Sequence, residues 1–498
     1  MQPKSIVIVG GGTAGWMAAN LMAKKWRNSN IDITLVESPD IGIIGVGEGS
    51  TPQLKAFFDK MDIAEHEWMP QCNATYKLGI NFKNWSTKKG FEQYFHPFDS
   101  ALDLHTRKKF ILNCYGRRLG DDVKTLPNDF FIAAYLAKQN LGPHANSNFP
   151  FPVNYGYHFD SHLLGKFLCD KAIELGVEHI SGNVTDVALH LNGDIEKLSV
   201  DSVGWLSADF FIDSTGFRSL LLQNTLKVPF VNFKENLFNN SAVIIPSPSS
   251  NKRPPQTTST ALKNGWAWDI PLTNRTGNGY VYSSDFCSSE EAEIELREKL
   301  NLLDSDVEAR HLKMKVGRVE QHWAKNCLAV GLSQGFIEPL EATALHLVQE
   351  TIEHFISAWD KGNFTNTHAA AFNKNINQRF DGIRDYIVCH YKLNSRTDSE
   401  YWQQNARNTK TSGSLAEIIN VWLNREDLAQ YWEQSTQAKS YSVVSWHCIL
   451  SGYGIFPELN QKINTQAMSV NMDEVHQFLS QCSRNFPDHT QQLNNLLK

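Results

Sequence analysis

Three clusters of residues in this chain carry chemistry. The first is Gly10-Gly11-Gly12-Thr13-Ala14-Gly15, a G-x-G-x-x-G run between the β-branched stretch Ser5–Val9 and apolar residues at helical spacing, Trp16, Met17, Leu21, Met22 and Trp26. Glycines in that setting let the backbone approach a pyrophosphate, whose charge is met by the amides and dipole of a helix N-terminus. Glu37 ends a second strand-like run through Ile33, Leu35 and Val36, where an acid accepts hydrogen bonds from ribose hydroxyls. Asp213-Ser214-Thr215-Gly216 follows the apolar run Phe210–Ile212. A late return of this kind is typical of two-part flavoprotein folds and favours FAD over NAD, against the plainer reading of Asp213 as a turn cap.

The second cluster is Gly265-Trp266-Ala267-Trp268-Asp269-Ile270-Pro271, whose two tryptophans alternate and so share one face of a strand. Taken alone, that pattern means core packing. Lys77 sits in Thr75-Tyr76-Lys77-Leu78-Gly79-Ile80-Asn81-Phe82. An ammonium buried among Tyr76, Ile80 and Phe82 costs several kcal/mol unless partnered or neutralised, so burial there needs a reason; the bland alternative is an exposed strand lysine. The third cluster, Gly335-Phe336-Ile337-Glu338-Pro339-Leu340-Glu341-Ala342-Thr343-Ala344, follows the apolar run Cys327–Gly331 and opens a helical pattern. Amides at Thr343 and Ala344 would suit an anion. Glu341 is then either a working carboxylate or a helix cap.

The elements that must hold these residues form a β-α-β nucleotide unit at the N-terminus, rejoined by the strand before Asp213. From about 75 to 160 the chain is rich in aromatics, Pro and Gly with poor helical periodicity, which predicts an inserted sheet and loops. Leu163–Leu175 reads as a helix, and the Pro/Ser/Thr-rich stretch Ser247–Thr260 as a surface loop between strands. After Thr343 the pattern turns helical through Trp359 and continues through Phe372, Ile376, Phe380, Ile383 and Ile387. The fold class is α/β (α+β overall): a Rossmann-like parallel sheet for FAD, an inserted antiparallel sheet and a mainly helical C-terminal region. The expected division is residues 1–355 as the FAD-binding and catalytic module and 356–498 as a helical region covering the substrate.

Composition narrows the partners. A net charge of −6 with 20% charged residues recommends neither a nucleic-acid backbone nor an anionic membrane. No apolar run approaches the roughly 18 residues of a bilayer span, and the N-terminus enters a strand without a basic leader, which points to the cytoplasm. Eight scattered cysteines with no C-x-x-C pair argue against a disulfide framework or a zinc site. The sequence leaves dimerisation open.

The W-x-W-x-I-P pattern at Trp266–Pro271 resembles the signature of the flavin-dependent halogenases, the group that includes the tryptophan halogenases. The resemblance spans nearly the whole chain. Gly45–Pro52 resembles the family's flavin-contacting strap, with Gly49-Ser50-Thr51 in place of its commoner Ala/Ser-Thr-Val ending, and Thr75–Phe82 with Trp85 resembles the segment of its essential lysine. Phe95-His96-Pro97-Phe98 resembles a substrate-pocket segment, and Arg384–Ile387 with His390, Tyr391, Arg396, Asp398 and Trp402 resembles a stretch of the helical part. Gly335–Ala344 resembles the join between flavin and substrate sites, although Glu-Ala-Thr-Ala stands where Glu-Ser-Thr-Gly is common, removing a hydroxyl and adding a methyl while keeping the backbone donors.

By that resemblance, Gly10, Gly12, Thr13, Ala14, Gly15, Glu37, Gly47, Glu48, Asp213, Gly216 and Gly331 hold FAD, and Trp266 and Trp268 line the flavin side and keep substrate away from it. Lys77 and Glu341 are the catalytic pair, Thr343 and Ala344 bind halide, and His96, Phe98 and Trp446 face an aromatic substrate. The implied reaction uses FADH2, dioxygen and bromide or chloride to halogenate an electron-rich ring such as indole, through hypohalous acid passed to Lys77. A separate NADH-dependent flavin reductase is implied, because one nucleotide fingerprint is present and no second. Relatives acting on free tryptophan carry a tyrosine pair and an acid shortly before the pocket tryptophan, whereas this chain has Glu433-Gln434 and Tyr441 in that region. The rival readings are an FAD-dependent aromatic monooxygenase and a catalytically silent flavin-binding module.

Overall fold

The computed structural model describes residues 4–42, 48–250, 252–458 and 470–496. The chain divides into two compact units, each assembled from three stretches: Met1–Asn73, Phe159–Lys234 and Lys315–Phe380 form the first, and Ala74–His158, Glu235–Met314 and Asp381–Lys498 the second.

The first unit is built on a six-stranded sheet in the order Trp323–Ala324, Cys327–Ala329, Phe210–Asp213, Lys4–Val9, Ile31–Glu37, Glu178–Ser181. The last five run parallel, with only the edge strand Trp323–Ala324 reversed. Val7, Ile8, Leu35, Phe211, Ile212 and Leu328 are buried, as strands covered on both faces require. Helices Thr13–Lys25, Ser161–Glu174 and Ala344–Lys361 pack together. The meander Val184–Leu189, Ile195–Val200, Gly204–Ser207 contributes Ile195, Leu198 and Val200 to a core shared with Val7, Val36 and Phe211.

The second unit carries a larger, mainly antiparallel sheet in the order Arg310–Lys313, Ser241–Ile244, Arg275–Tyr282, Gly265–Pro271, Thr257–Leu262, Gly79–Lys83, Gln93–Pro97. Its one parallel pair joins Thr257–Thr260 to Ile80–Lys83. Helices Glu400–Arg407, Gly413–Leu423, Val443–Gly452 and Met472–Ser483 supply the helical C-terminal part. The fold class is the one the sequence implies.

Two local readings need correction. The expected loop Ser247–Thr260 becomes a strand from Thr257 onward, because the residues of Thr257–Leu262 alternate buried and half-buried and their β-branched threonines suit a pleated surface. The stretch expected to hold only sheet and loops also contains helices Leu104–Arg118 and Ile132–Lys138. The first hid from periodicity because its inner face uses Thr106, Asn113 and Arg118 beside Phe110 and Cys114; the Arg118 guanidinium is buried and donates to the carbonyls of Val421, Trp422 and Glu426.

Candidate active site

In the first unit, Val9 lies opposite both Val36 and Asp213, and Asp213 opposite Ala329. These parallel strands therefore end at one edge, and Gly10, Glu37, Ser214 and Val330 emerge together at the carboxyl end of the sheet, where open α/β sheets bind ligands. The glycines there do different work. Gly10 has φ +109°, and a side chain on it would run into the Ser214 carbonyl; one on Gly15 would run into the Gly10 carbonyl. Gly12 is in ordinary extended backbone, and nothing stands within 4 Å of where its side chain would point. It precedes helix Thr13–Lys25, which has no side-chain cap and no acid in its first turn. An open cradle before an uncapped helix start fits a diphosphate.

Gly12→Ala is therefore expected to leave stability within about 1 kcal/mol of wild type but to weaken FAD binding more than about tenfold, by filling the cradle. Gly10→Ala should instead lower the melting temperature, because it strains the turn itself. Fluorescence titration of FAD beside thermal melts separates the two. Equal FAD affinity in Gly12→Ala and wild type would remove the diphosphate from this turn.

Thr13 Oγ1 donates to the Ser161 carbonyl at 3.3 Å, fastening one helix start to another. Gly331 has φ +64°, and a Cβ on it would crowd the Ala14 methyl at 2.7 Å. Glu37 is half-buried with Oε2 3.2 Å from His179 Nε2. Burial raises its carboxyl above the usual value, and His179 pulls it back down. Burial likewise pushes Glu48 up to about 7, with the Asp160 charge adding to the effect. Gly47 lies outside the described residues.

Asp213 is fully buried and its carboxylate is taken up by the protein. It accepts from Thr215 N and Oγ1 at 3.1 and 2.7 Å, Leu221 N at 2.9 Å, Leu222 N at 2.8 Å and Ser333 Oγ at 3.0 Å. It thus ties the turn holding Gly216, at φ +68° with open space before it, to the turn holding Gly331 and Ser333. Its side chain serves the turns, and the turns present the backbone.

Glu341, 5% exposed, ends the single turn Pro339–Glu341. Ala342 follows at φ +56°, a left-handed conformation that costs a residue with a Cβ roughly 1–2 kcal/mol. Thr343 then opens the helix Ala344–Lys361, which has neither side-chain cap nor acid in its first turn. A strained residue between a buried carboxylate and a helix start is a feature of functional sites.

In the second unit, Lys77 is 0% exposed on the strand Thr75–Lys77, with Nζ 5.5 Å from the centroid of the Phe98 ring. The exposed-lysine alternative does not hold. Trp266 and Trp268 are both buried on the strand Gly265–Pro271, their rings 6.0 Å apart. Gly279 lies opposite Trp268, whose ring occupies the space a side chain at 279 would need. Trp446, in the helix Val443–Gly452, meets Tyr386 edge-on at 4.7 Å, and Tyr386 stacks on Tyr441 at 3.6 Å. His96, on the strand Gln93–Pro97, approaches Tyr386 at 6.1 Å. The structure brings Lys77 to Phe98, and His96 and Trp446 to the shared ring of Tyr386. Sequence reading placed Tyr386 in a family stretch and missed it as the centre of this cluster; its spacing of four from His390, whose ring lies 5.6 Å away, was the available signal.

Known proteins resemble this chain along most of its length. The tryptophan halogenase family model matches residues 5–469. The chain is 38% identical over 482 residues to the 7-chloro-L-tryptophan 6-halogenase of Kutzneria sp. (strain 744), covering 90% of each chain. It is 37% identical over 447 residues to the tryptophan 6-halogenase of Streptomyces toxytricini, covering 84% of each. Among solved structures, the tryptophan C-6 flavin-dependent halogenase (chlorinase) from taromycin biosynthesis superposes with a TM-score of 0.87 at 33% identity, over 99% of this chain and 100% of that one.

Proposed function

This chain belongs to the tryptophan halogenase family of flavin-dependent enzymes, and from that premise we propose that it uses FADH2, dioxygen and bromide or chloride to halogenate an indole-type ring. The observation that carries the reading is the full burial of Lys77 against Phe98, on the segment that resembles that of the family's essential lysine.

Gly10, Gly12, Gly15, Gly216 and Gly331 would hold FAD through backbone, with Glu37 toward the ribose. Bound there, reduced FAD would supply, with dioxygen and halide, an electrophilic halogen as hypohalous acid. Amides at Thr343 and Ala344 would attract the halide to a helix start. Lys77 would hold the hypohalous acid by a hydrogen bond from its ammonium, or take the halogen on a neutral amine with the hypohalous oxygen leaving as water. Glu341 would take the ring proton as aromaticity returns, work that contributes roughly 10²–10⁴-fold. Trp266 and Trp268 would keep the organic substrate from the flavin, and the cluster of His96, Tyr386, Tyr441 and Trp446 would hold its ring by stacking and burial. A separate NADH-dependent reductase would deliver FADH2. No described helix is long and apolar enough to cross a membrane, and a reaction fed by NADH would run in the cytoplasm.

The test supplies FAD, a flavin reductase, NADH, oxygen and either bromide or chloride to the purified enzyme, with indole and free tryptophan offered separately and products read by mass spectrometry. A monohalogenated ring, formed only with halide present, is expected. Hydroxylated product independent of halide would instead assign an aromatic monooxygenase, and bound FAD with no product from a panel of indoles would assign a silent flavin module.

A further inference from the structure

The strand that carries Lys77 is gripped by two buried histidines, and hydrogen bonds together with burial set the protonation of both. Thr75 Oγ1 lies 2.6 Å from the Pro271 carbonyl and 3.1 Å from His158 Nδ1. A carbonyl only accepts, so the single hydroxyl proton of Thr75 goes to Pro271, and toward the imidazole Thr75 Oγ1 can only accept. Nδ1 of His158 therefore carries a proton. On the other side of the ring, Nε2 lies 2.9 Å from Thr257 Oγ1. Burial, reinforced by the Lys77 charge, holds the imidazole well below its ordinary pKa, so Nε2 is bare and accepts from the Thr257 hydroxyl. The result is a directed chain, Thr257 to His158 to Thr75 to the Pro271 carbonyl.

This chain runs beside Lys77 and ends on the strand of the two tryptophans. Thr75 pairs with His158 and Lys77 with Gly156 across the two antiparallel strands, so all four residues lie on one face. Gly156 brings no side chain to compete with the lysine stem. Pro271 is the last residue of Gly265–Pro271. Next to Lys77, the Tyr76 amide donates to His489 Nε2 at 3.3 Å, while His489 Nδ1 donates to the Arg253 carbonyl at 2.6 Å. That histidine is also neutral, with burial pushing it down to about 4. Both imidazoles in contact with the lysine strand are thus uncharged, and a cation at His158 would stand on the same face as the ammonium.

We propose that His158, neutral and protonated on Nδ1, is a positioning residue that aims Lys77 by locking the lysine strand to the end of the tryptophan strand. The proposal rests on the reading of Lys77 as the halogen-bearing amine. If Thr257 loses its hydroxyl, Nε2 becomes a buried acceptor without a donor, and the imidazole is held only on its Nδ1 side, through Thr75. A defect at Thr257 therefore travels to both strands without touching Lys77. Displacements on the scale of 1 Å near a reacting centre cost up to about 10²-fold.

The experiment compares Thr257→Val, which is nearly isosteric, with Thr257→Ser, which keeps the hydroxyl, and His158→Asn, which keeps a donor toward Thr75. Two quantities are read in the FAD-loaded enzyme: the fraction of hypohalous acid that ends on the indole ring rather than on an added scavenger, and the histidine ring nitrogen shifts of ¹⁵N-histidine-labelled protein. His158→Asn identifies the His158 signals. We expect a protonated Nδ1 and a bare Nε2 in wild type and in Thr257→Ser. Thr257→Val should keep Nδ1 protonated but shift the bare Nε2 signal as its hydrogen bond is lost, and its ring-directed fraction should fall about tenfold, while Thr257→Ser stays within about twofold of wild type. A merely structural role would lower the melting temperature of Thr257→Val with the ring-directed fraction unchanged, and that result overturns the proposal. So does a bare Nδ1 in wild type. Full ring halogenation by Lys77→Met would overturn the reading of Lys77 and this proposal with it, whereas loss in Lys77→Met beside an unaffected Thr257→Val overturns this proposal alone.

Discussion

Lys77→Met should cut ring halogenation by about 10³-fold while FAD affinity and the rate of flavin oxidation stay within about twofold of wild type. Lys77 and the glycine turn belong to different units, so loss of the amine leaves Gly10, Gly12, Gly15 and Glu37 unaltered. The methionine stem is close in volume to the lysine stem and sits where burial is complete, so it demands no hydration. Hypohalous acid formed without a partner on the lysine strand has no local group to hold it, and an added thiol or amine scavenger should collect it. The product ratio, ring-halogenated to scavenger-halogenated, is thus the decisive measurement. Lys77→Arg divides the two roles left open for the amine. A guanidinium still donates hydrogen bonds but never loses its charge, so partial retention of ring halogenation favours hydrogen bonding, and complete loss favours the neutral amine. Ring halogenation by Lys77→Met within tenfold of wild type would remove Lys77 from the chemistry.

What was legible in the sequence was local. The Gly10–Gly15 turn, the Glu37 strand end and the alternation of Trp266 and Trp268 each lie within a few residues, and each appears in the structure where spacing put it. The family motifs added Lys77 and Glu341, whose burial no local pattern dictates: Lys77 ends a strand only three residues long, and its surroundings come from Phe98 and from the strand Gly156–Phe159. The His158 chain joins residues 75, 158, 257 and 271, and Asp213 reaches Ser333 across 120 positions. Such partners are set by register between distant strands, which one sequence does not display. The helix Leu104–Arg118 was missed for a related reason: a buried Arg118 reads as surface until the three carbonyls that receive it are seen.

The same distribution of buried imidazoles makes acid sensitivity unequal between the two units. In the second unit, burial holds His447 and His489 down to about 4 and pushes His158 and His390 well below the ordinary value. The unfolded chain protonates these groups near pH 6.5 and the folded chain only far below it, so between those values the unfolded state binds more protons and stability falls as pH falls. Each such group costs about 1.4 kcal/mol per pH unit across that window. A buried carboxyl acts in the opposite sense: Asp103, raised to about 7 by burial, is relieved as it protonates, and offsets one histidine. Asp99, also raised by burial, acts in the same sense as Asp103, so four against two leaves the second unit losing roughly 3 kcal/mol per pH unit below pH 6.5. The first unit has His322 at about 3 against Glu48 at about 7 and Glu37, also raised by burial, so these groups cost it no stability until the unfolded-state glutamates begin to protonate near pH 4.5. At roughly 2–4 °C per kcal/mol for units of this size, moving from pH 6.5 to 5 should lower the melting transition of the second unit by roughly 10 °C, and that of the first by only a few degrees. Amide hydrogen exchange read by mass spectrometry at pH 7, 6 and 5 resolves the two, because the peptides 79–97 and 257–282 report on one sheet and 4–37 and 210–213 on the other. Protection should drop first in the former pair. If it drops first around Val9 and Asp213, the histidines of the second unit are not held neutral by burial, and the neutral His158 on which the alignment of Lys77 depends would fall with them.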